Sequence, residues 1–134
     1  MRIHFGEFPP DLMSPVKVEV ERWARCLPSW CEVLVATFDA DDTENHATMD
    51  ARYMHRESRL RIAPQYFSLD AGSRSDTIIH EFGHVLAAPV DDVVADIILD
   101  LPRALVARHE RLYERAMEAL VTDFGHAIKR VSPS

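Results

Sequence analysis

The chain has 134 residues, of which 47% are hydrophobic and 28% charged, and its formal net charge is −7. This length and composition predict a single domain, residues 1–134, with a substantial hydrophobic core. The acidic balance argues against nucleic acid or an anionic membrane as a partner, because phosphate groups are bound by basic surfaces. No apolar run approaches the roughly 20 residues that span a bilayer, and the N-terminus lacks the apolar region of a signal peptide. We therefore expect a cytoplasmic protein.

The N-terminal part of the chain predicts one helix after an irregular segment. Residues 1–13 are expected to be irregular, and Pro9-Pro10 disfavours a helix there. Ser14 is the expected N-cap of the helix, with Pro15 at its first position. Apolar residues then recur at helical spacing until Pro28, where we expect the helix to end.

Three strands are predicted next. The run Trp30–Phe38 is rich in β-branched and aromatic residues and indicates a central strand. Residues 46–55 and 59–63 each alternate between apolar and polar side chains, which predicts a hairpin near the edge of a sheet. An edge strand has free backbone donors and acceptors that can pair with an extended peptide.

The second half of the chain predicts helices. Ser73 or Ser75 is expected to cap a helix that Pro89 stops near Ala88, and residues 91–99 indicate a second, short helix. A long last helix is predicted over 103–129, with an apolar stripe of Leu105, Leu112, Ala116, Leu120, Phe124 and Ile128. Because the strands do not alternate with helices, the expected class is α+β, a small three-stranded sheet packed on helices.

The helix before Pro89 carries the motif that indicates chemistry, His80-Glu81-Phe82-Gly83-His84, or H-E-x-x-H. Residues four apart lie one above the other on a helix, so His80 and His84 can bind one metal ion. Glu81 is rotated away from them and can lie beside a water molecule as a general base. Zinc is the expected ion, because it is bound by imidazole and carboxylate groups and a catalytic site keeps one position open.

Catalytic zinc takes a third protein ligand, often a carboxylate. The extended motif with a third histidine is excluded, because Val90 stands at that position. Helical phase does not select among the remaining candidates on the predicted helices. They are Asp91, Asp92, His109, Glu110, Glu114, Glu118 and His126.

A resemblance narrows this choice. The H-E-x-x-H helix ending in Leu86-Ala87-Ala88-Pro89, followed by a long C-terminal helix, resembles the small zincin-like metallopeptidases of phages and bacteria. In that family a glutamate on the C-terminal helix is the third ligand, and the segment Glu118–Phe124 matches its pattern, so the resemblance implies Glu118. One departure is that Thr122 stands where better-known glutamate zincins carry an aspartate that supports a ligand histidine. Asp123 comes one residue later.

Motif and resemblance together predict a minimal zincin-like domain, a Zn²⁺-dependent peptidase that acts on a peptide or protein substrate. His80, His84 and Glu118 would hold the metal and Glu81 would act as the general base. Candidates for the group that stabilises the oxyanion are Tyr66, His109, Tyr113 and His126.

Two other classes of protein are compatible with the sequence. One is a catalytically inactive zinc-binding interaction protein, which would need the histidine pair but not Glu81. The other is a metal-free protein in which His80 and His84 are core histidines. The presence of Glu81 favours the enzyme.

Overall fold

The computed structural model describes residues 1–131, which form an α+β fold of four strands and three helices. The strands are β1 (Arg2–Phe5), β2 (Val33–Phe38), β3 (Ala47–Arg52) and β4 (Glu57–Ile62). The helices are α1 (Met13–Trp23), α2 (Ala71–Leu99) and α3 (Arg103–Val131), and short 3₁₀ turns lie at Ala24–Cys26, Tyr53–His55 and Pro64–Ser68. Within this described part of the chain, no helix is both long enough and apolar enough to cross a membrane.

The four strands form one sheet in the order β1-β2-β4-β3. β2 is parallel to both β1 and β4, whereas β3 is antiparallel to β4 and forms an edge. The predicted hairpin and its position near the edge are therefore confirmed. The prediction of three strands was wrong, because residues 2–5 pair with β2 and Ile3 lies opposite Leu34. Pro9-Pro10 does not prevent this pairing, since β1 ends four residues before Pro9.

One face of the sheet packs against α1 and α2 to form the main core. Leu34, Leu60 and Ile62 are fully buried from the sheet side. The helices contribute Val16, Val20, Trp23, Ile78, Ile79 and Phe82 to the same cluster. Burying a side chain of this size stabilises a fold by about 1.5–3 kcal/mol. The alternating burial along β4 explains why the alternating sequence pattern located this strand, whereas β2 was predicted from its β-branched and aromatic residues.

Both predicted helix caps were wrong. α1 begins at Met13 after Leu12, so Ser14 lies inside the first turn rather than capping it. α2 begins after Asp70, whose carboxylate accepts a hydrogen bond of 2.8 Å from the backbone N–H of Ser73. Asp70 competes with the serines for this role because an aspartate side chain is an equally good N-cap.

Ser75 bonds a side chain of another helix instead of a backbone N–H group of its own helix, as an N-cap would. Its hydroxyl donates to the buried carboxylate of Glu19, which also accepts a hydrogen bond of 3.0 Å from Nε1 of Trp23. Two donors thus satisfy a carboxylate that would otherwise be costly to bury. The network ties α1 to the first turns of α2, the helix that carries the motif.

α2 continues through Pro89, so the prediction of two separate helices was wrong. Proline removes one backbone hydrogen bond and disfavours the helix at that point. Tertiary contacts on both sides of the proline offset this cost: Ala87 and Ala88 are buried before it, and Ile98 is buried after it. The continuous helix extends beyond His84 by about four turns, to Leu99.

α3 matches the predicted long helix, but its packed face differs from the predicted stripe. Met117 and Val121 are buried against α2, whereas Leu112 and Leu120 are 50% and 60% exposed. Each step of four residues advances 400° around a helix, which is 40° past a full turn. The predicted stripe therefore winds around α3, and only its last members, Phe124 and Ile128, reach the packed side.

Candidate metal centre

Three of the predicted site residues converge where α2 packs against α3. Nε2 of His80 lies 3.0 Å from one carboxylate oxygen of Glu118, and Nε2 of His84 lies 3.0 Å from the other. The ligand atoms of all three residues lie within 4.8 Å of one another. In the part of the chain that the structure describes, no other group of histidine, cysteine or carboxylate ligands converges in this way. Asp91, Asp92, His109, Glu110, Glu114 and His126 lie outside the group.

A close approach of the two helices brings Glu118 to the histidines. Gly83 lies between the histidines in the motif, and Val121 follows Glu118 by three residues. A Cβ atom on Gly83 would lie only 2.6 Å from Cγ1 of Val121, so the contact needs glycine. Ala87, Met117 and Val121 form the small buried cluster that continues this contact along the helices.

The histidines are suited to bind a cation. Burial lowers the pKa of His84 below its usual value, and the neighbouring His80 acts in the same direction, while Glu118 opposes both effects. Neutral imidazole is the form that ligates a metal. Two imidazole nitrogens and one carboxylate are also a known ligand set for catalytic zinc. The residues therefore could hold a divalent metal ion.

Glu81 lies beside this cluster but is not a member of it. Burial and, to a smaller extent, the negative charge of Glu118 together raise the pKa of Glu81 to about 8. Its surroundings thus favour the protonated form at neutral pH when no cation is near. A carboxyl group with its pKa shifted toward neutrality can both accept and release a proton.

A cleft of about 540 Å³ separates α2 from the edge strand β3. Thr48, Met49 and Asp50 line its strand side, and His80 and Glu81 line its helix side. A smaller space of about 350 Å³ near Thr77 and Asn45 also includes His80 and Glu81 in its lining. The metal-ligand cluster and Glu81 therefore face a trough that runs along a strand edge.

Asp91 and Tyr113 form a second link between α2 and α3. The hydroxyl of Tyr113 donates a hydrogen bond to the carboxylate of Asp91. Both residues line a groove that His84 and Glu118 also line. Partial burial and the nearby charge of Asp91 raise the pKa of Tyr113, so the hydroxyl keeps its proton. Asp91 is thereby engaged with a tyrosine rather than with the histidine pair.

The four candidates for oxyanion stabilisation occupy different places. Tyr66 is fully buried in the main core. His109 lies with Nδ1 2.8 Å from the backbone oxygen of Leu105 in its own helix. Tyr113 and His126 each line a cavity together with a ligand histidine. Only these last two share space with the candidate metal centre.

The residues after Glu118 include the two positions considered for the support of a ligand histidine. Asp123 is exposed and, within residues 1–131, forms no hydrogen bond with His80 or His84. Thr122 and His126 follow Glu118 at four-residue steps and line a cavity of about 130 Å³ with His80. Thr122, rather than Asp123, is thus the residue that occupies the position beside the ligand histidine.

Sequence reasoning missed two features of this site. The sequence indicated the contact of Gly83 with Val121 only weakly, through an isolated glycine in a helical pattern, which often marks close packing. No sequence pattern indicated the hydrogen bond between Tyr113 and Asp91, because the two residues are 22 positions apart and Pro89 obscured the continuity of α2.

Comparisons of the chain with protein-family models, curated proteins and solved structures found no match. The resemblance to zincin-like metallopeptidases therefore rests on the motif and the order of elements.

Proposed function

We propose that this protein is a zinc-dependent peptidase. The observation that carries the proposal is the convergence of His80, His84 and Glu118 from two helices, with Glu81 beside them and not among them. Chance occurrence of H-E-x-x-H would not bring a carboxylate from a helix more than 30 residues later to both imidazoles. A metal-free core is also disfavoured, since all three side chains line one open cleft and none of them is fully buried.

The ligand set favours zinc and leaves room for a substrate. His80 and His84 would offer Nε2, and Glu118 would offer a carboxylate oxygen. When bound, zinc would supply a strong electrophile that lowers the pKa of water to about 7 and polarises a carbonyl group. Three protein ligands leave one coordination position open, as in catalytic rather than structural sites.

Glu81 would move the proton. Its carboxylate accepts a proton from the attacking water and then delivers it to the nitrogen of the leaving amine. Burial and the charge of Glu118 raise the pKa of Glu81 to about 8 in the absence of a cation, and a nearby positive charge would lower it. These opposing effects suit a residue that must act first as a base and then as an acid.

The edge strand favours a peptide as the substrate. β3 is paired with β4 on one side only, and its other side borders the cleft that contains Glu81 and the histidines. An extended peptide can add to such an edge through backbone hydrogen bonds. This would place a peptide bond between β3 and the metal-ligand cluster, where the proton carrier lies.

Mass spectrometry of a peptide library incubated with the zinc-loaded full chain tests the proposal. We expect new peptide termini with the wild type and none with Glu81→Gln, which removes the proton carrier while keeping the shape of the side chain. Stoichiometric zinc without cleavage of any peptide would instead support an inactive zinc-binding interaction protein. Equal, near-zero zinc in the wild type and in His80→Ala would contradict the metal centre itself.

A further inference from the structure

A second groove, of about 500 Å³, lies between α2 and α3 and begins at the metal-ligand cluster. His84 and Glu118 line one end of it, and Leu99 near the end of α2 lines the other. This groove is distinct from the cleft along β3, which shares only His84, Asp91 and Glu118 with it. A substrate bound along β3 could therefore place one side chain into it.

The α3 wall of the groove carries a row of carboxylates. Glu110, Glu114 and Glu118 recur every four residues, so they lie on one side of α3 with about 6 Å between successive levels. Within residues 1–131, neither Glu110 nor Glu114 forms an ion pair, although Arg111 and Arg115 are their neighbours in sequence. Like charges four residues apart destabilise a helix. Helix stability therefore does not explain the row.

The walls below this row are apolar. Ile98 is 6% exposed and Met117 is 9% exposed, and Ala95, Leu99 and Tyr113 also line the groove. Within this lining there is no lysine or arginine. An apolar trough with carboxylates at its rim matches a side chain that has a long hydrocarbon stem and a cationic head.

The cleft along β3 and the smaller space beside it are also lined by negatively charged residues. The cleft along β3 and its extension are lined by Glu44, Asp50, Asp76 and Asp92 in addition to the site carboxylates, and by no lysine or arginine. Asp50 and Asp76 are paired with Arg52 and Lys129. In the second groove, Asp91 accepts a hydrogen bond from Tyr113, whereas Glu110 and Glu114 form no ion pair within residues 1–131. The excess of negative charge would attract a basic peptide and repel an acidic one.

We propose that the groove between α2 and α3 is a substrate subsite that accepts a lysine or arginine side chain close to the cleaved bond. The stem packs on Ile98 and Met117, and the cationic head pairs with Glu114, one helical turn from Glu118, or with Glu110 beyond it. This inference rests on the proposed peptidase function, and it names basic peptides as the substrate class.

Cleavage of matched peptides by the zinc-loaded full chain tests the subsite. The peptides share one sequence and differ at a single position, which is lysine, arginine, norleucine or glutamate. Norleucine provides the hydrocarbon stem without the charge. When the variable position enters the groove, we expect kcat/KM for the lysine and arginine peptides to exceed that for the norleucine peptide by up to about fivefold, as one partly solvated ion pair allows.

The double variant Glu110→Gln/Glu114→Gln should bring the ratio of lysine to norleucine cleavage close to one. Its control is Glu21→Gln/Asp123→Asn, which removes the same charge at exposed sites away from the groove and should preserve the ratio. If the wild type cleaves the norleucine or glutamate peptide as fast as the lysine peptide at every position, the subsite is overturned but the proposed peptidase function is not. The subsite would also be overturned if Glu110→Gln/Glu114→Gln kept the wild-type ratio of lysine to norleucine cleavage. If no peptide is cleaved, the proposed function and the subsite both fail.

Discussion

Gly83 of α2 and Val121 of α3 approach so closely that a Cβ atom on Gly83 would lie 2.6 Å from Cγ1 of Val121. The contact lies next to the metal-ligand cluster, since Gly83 precedes His84 and Val121 follows Glu118 by three residues. The distance between the helices at this point decides whether a carboxylate from α3 reaches two imidazoles on α2. A packing contact thus sets the geometry of a chemical site.

Gly83→Ala should weaken zinc binding and lower the free energy of unfolding by roughly 1–3 kcal/mol, which is typical of overpacking a core. The added methyl group must push Val121, and with it Glu118, away from α2. The measurements are zinc affinity by competition with a chromophoric chelator and urea unfolding of the metal-free protein.

The double variant Gly83→Ala/Val121→Ala separates this contact from other effects of a methyl group. Removing the Cγ atoms of Val121 makes room for the new Cβ, so zinc affinity should recover relative to Gly83→Ala. If the loss of zinc affinity in the double variant equalled the sum of the losses in the two single variants, the contact would not position Glu118.

Glu118→Gln tests the third ligand. An amide is a much poorer zinc ligand than a carboxylate, so the loss in zinc affinity should exceed the roughly 10- to 100-fold that changes outside the ligand shell produce. Glu114→Gln and Glu110→Gln are the matched controls, because these residues lie one and two turns away on the same side of α3. If either control lost as much zinc affinity as Glu118→Gln, the assignment of the third ligand would be wrong.

Much of this fold could be predicted from the pattern of side chains. Every second residue is buried along β4 and along the first part of β2, because one sheet face packs on helices. The metal-ligand pair on α2 was predictable because a spacing of four residues fixes two side chains on one helix face. Such features depend on local periodicity, which the sequence displays directly.

The features that could not be predicted depend on contacts between distant segments. β1 has four residues, too few for an alternating pattern to be distinctive, and it is stabilised by pairing with β2. α2 passes through Pro89 because Ala88 and Ile98 are buried on either side of it. Glu118 could not be separated from Glu114 by helical phase, since that choice depends on how closely α3 approaches Gly83.

Glu81→Gln should leave zinc bound but reduce peptide cleavage by a factor of about 10² to 10⁴, the usual contribution of a positioned general base. Glu81 lies outside the group of ligand atoms, so its replacement removes a proton carrier and no ligand. Zinc content and kcat on one cleaved peptide provide the two measurements. Loss of zinc together with activity would place Glu81 in the ligand shell instead.

The buried carboxyl of Glu81 also predicts a pH dependence of stability in the metal-free protein. Its pKa rises from an ordinary value of 4.5 to about 8 on folding, so the folded state favours the protonated form. Below pH 4.5 the carboxyl is protonated in both the folded and the unfolded state and does not lower the stability. As the pH rises from 4.5 to 8, the carboxyl ionises in the unfolded state but not in the folded state, so the folded state loses stability.

Urea unfolding in the presence of a chelator measures this effect. Glu81→Gln cannot ionise at this position, so its free energy of unfolding should rise relative to that of the wild type across the same pH interval. Parallel pH profiles for the two proteins would show that Glu81 is not buried in a way that disfavours its charge.

The most direct test of the account is a crystal structure of the zinc-loaded chain with anomalous diffraction recorded at the zinc absorption edge. The account predicts one strong anomalous peak, about 2.0–2.2 Å from Nε2 of His80, Nε2 of His84 and a carboxylate oxygen of Glu118. Glu81 should face the open side of the ion without binding it. A peak held by other residues, or no peak in crystals grown with equimolar zinc, would contradict the metal centre on which the proposed function depends.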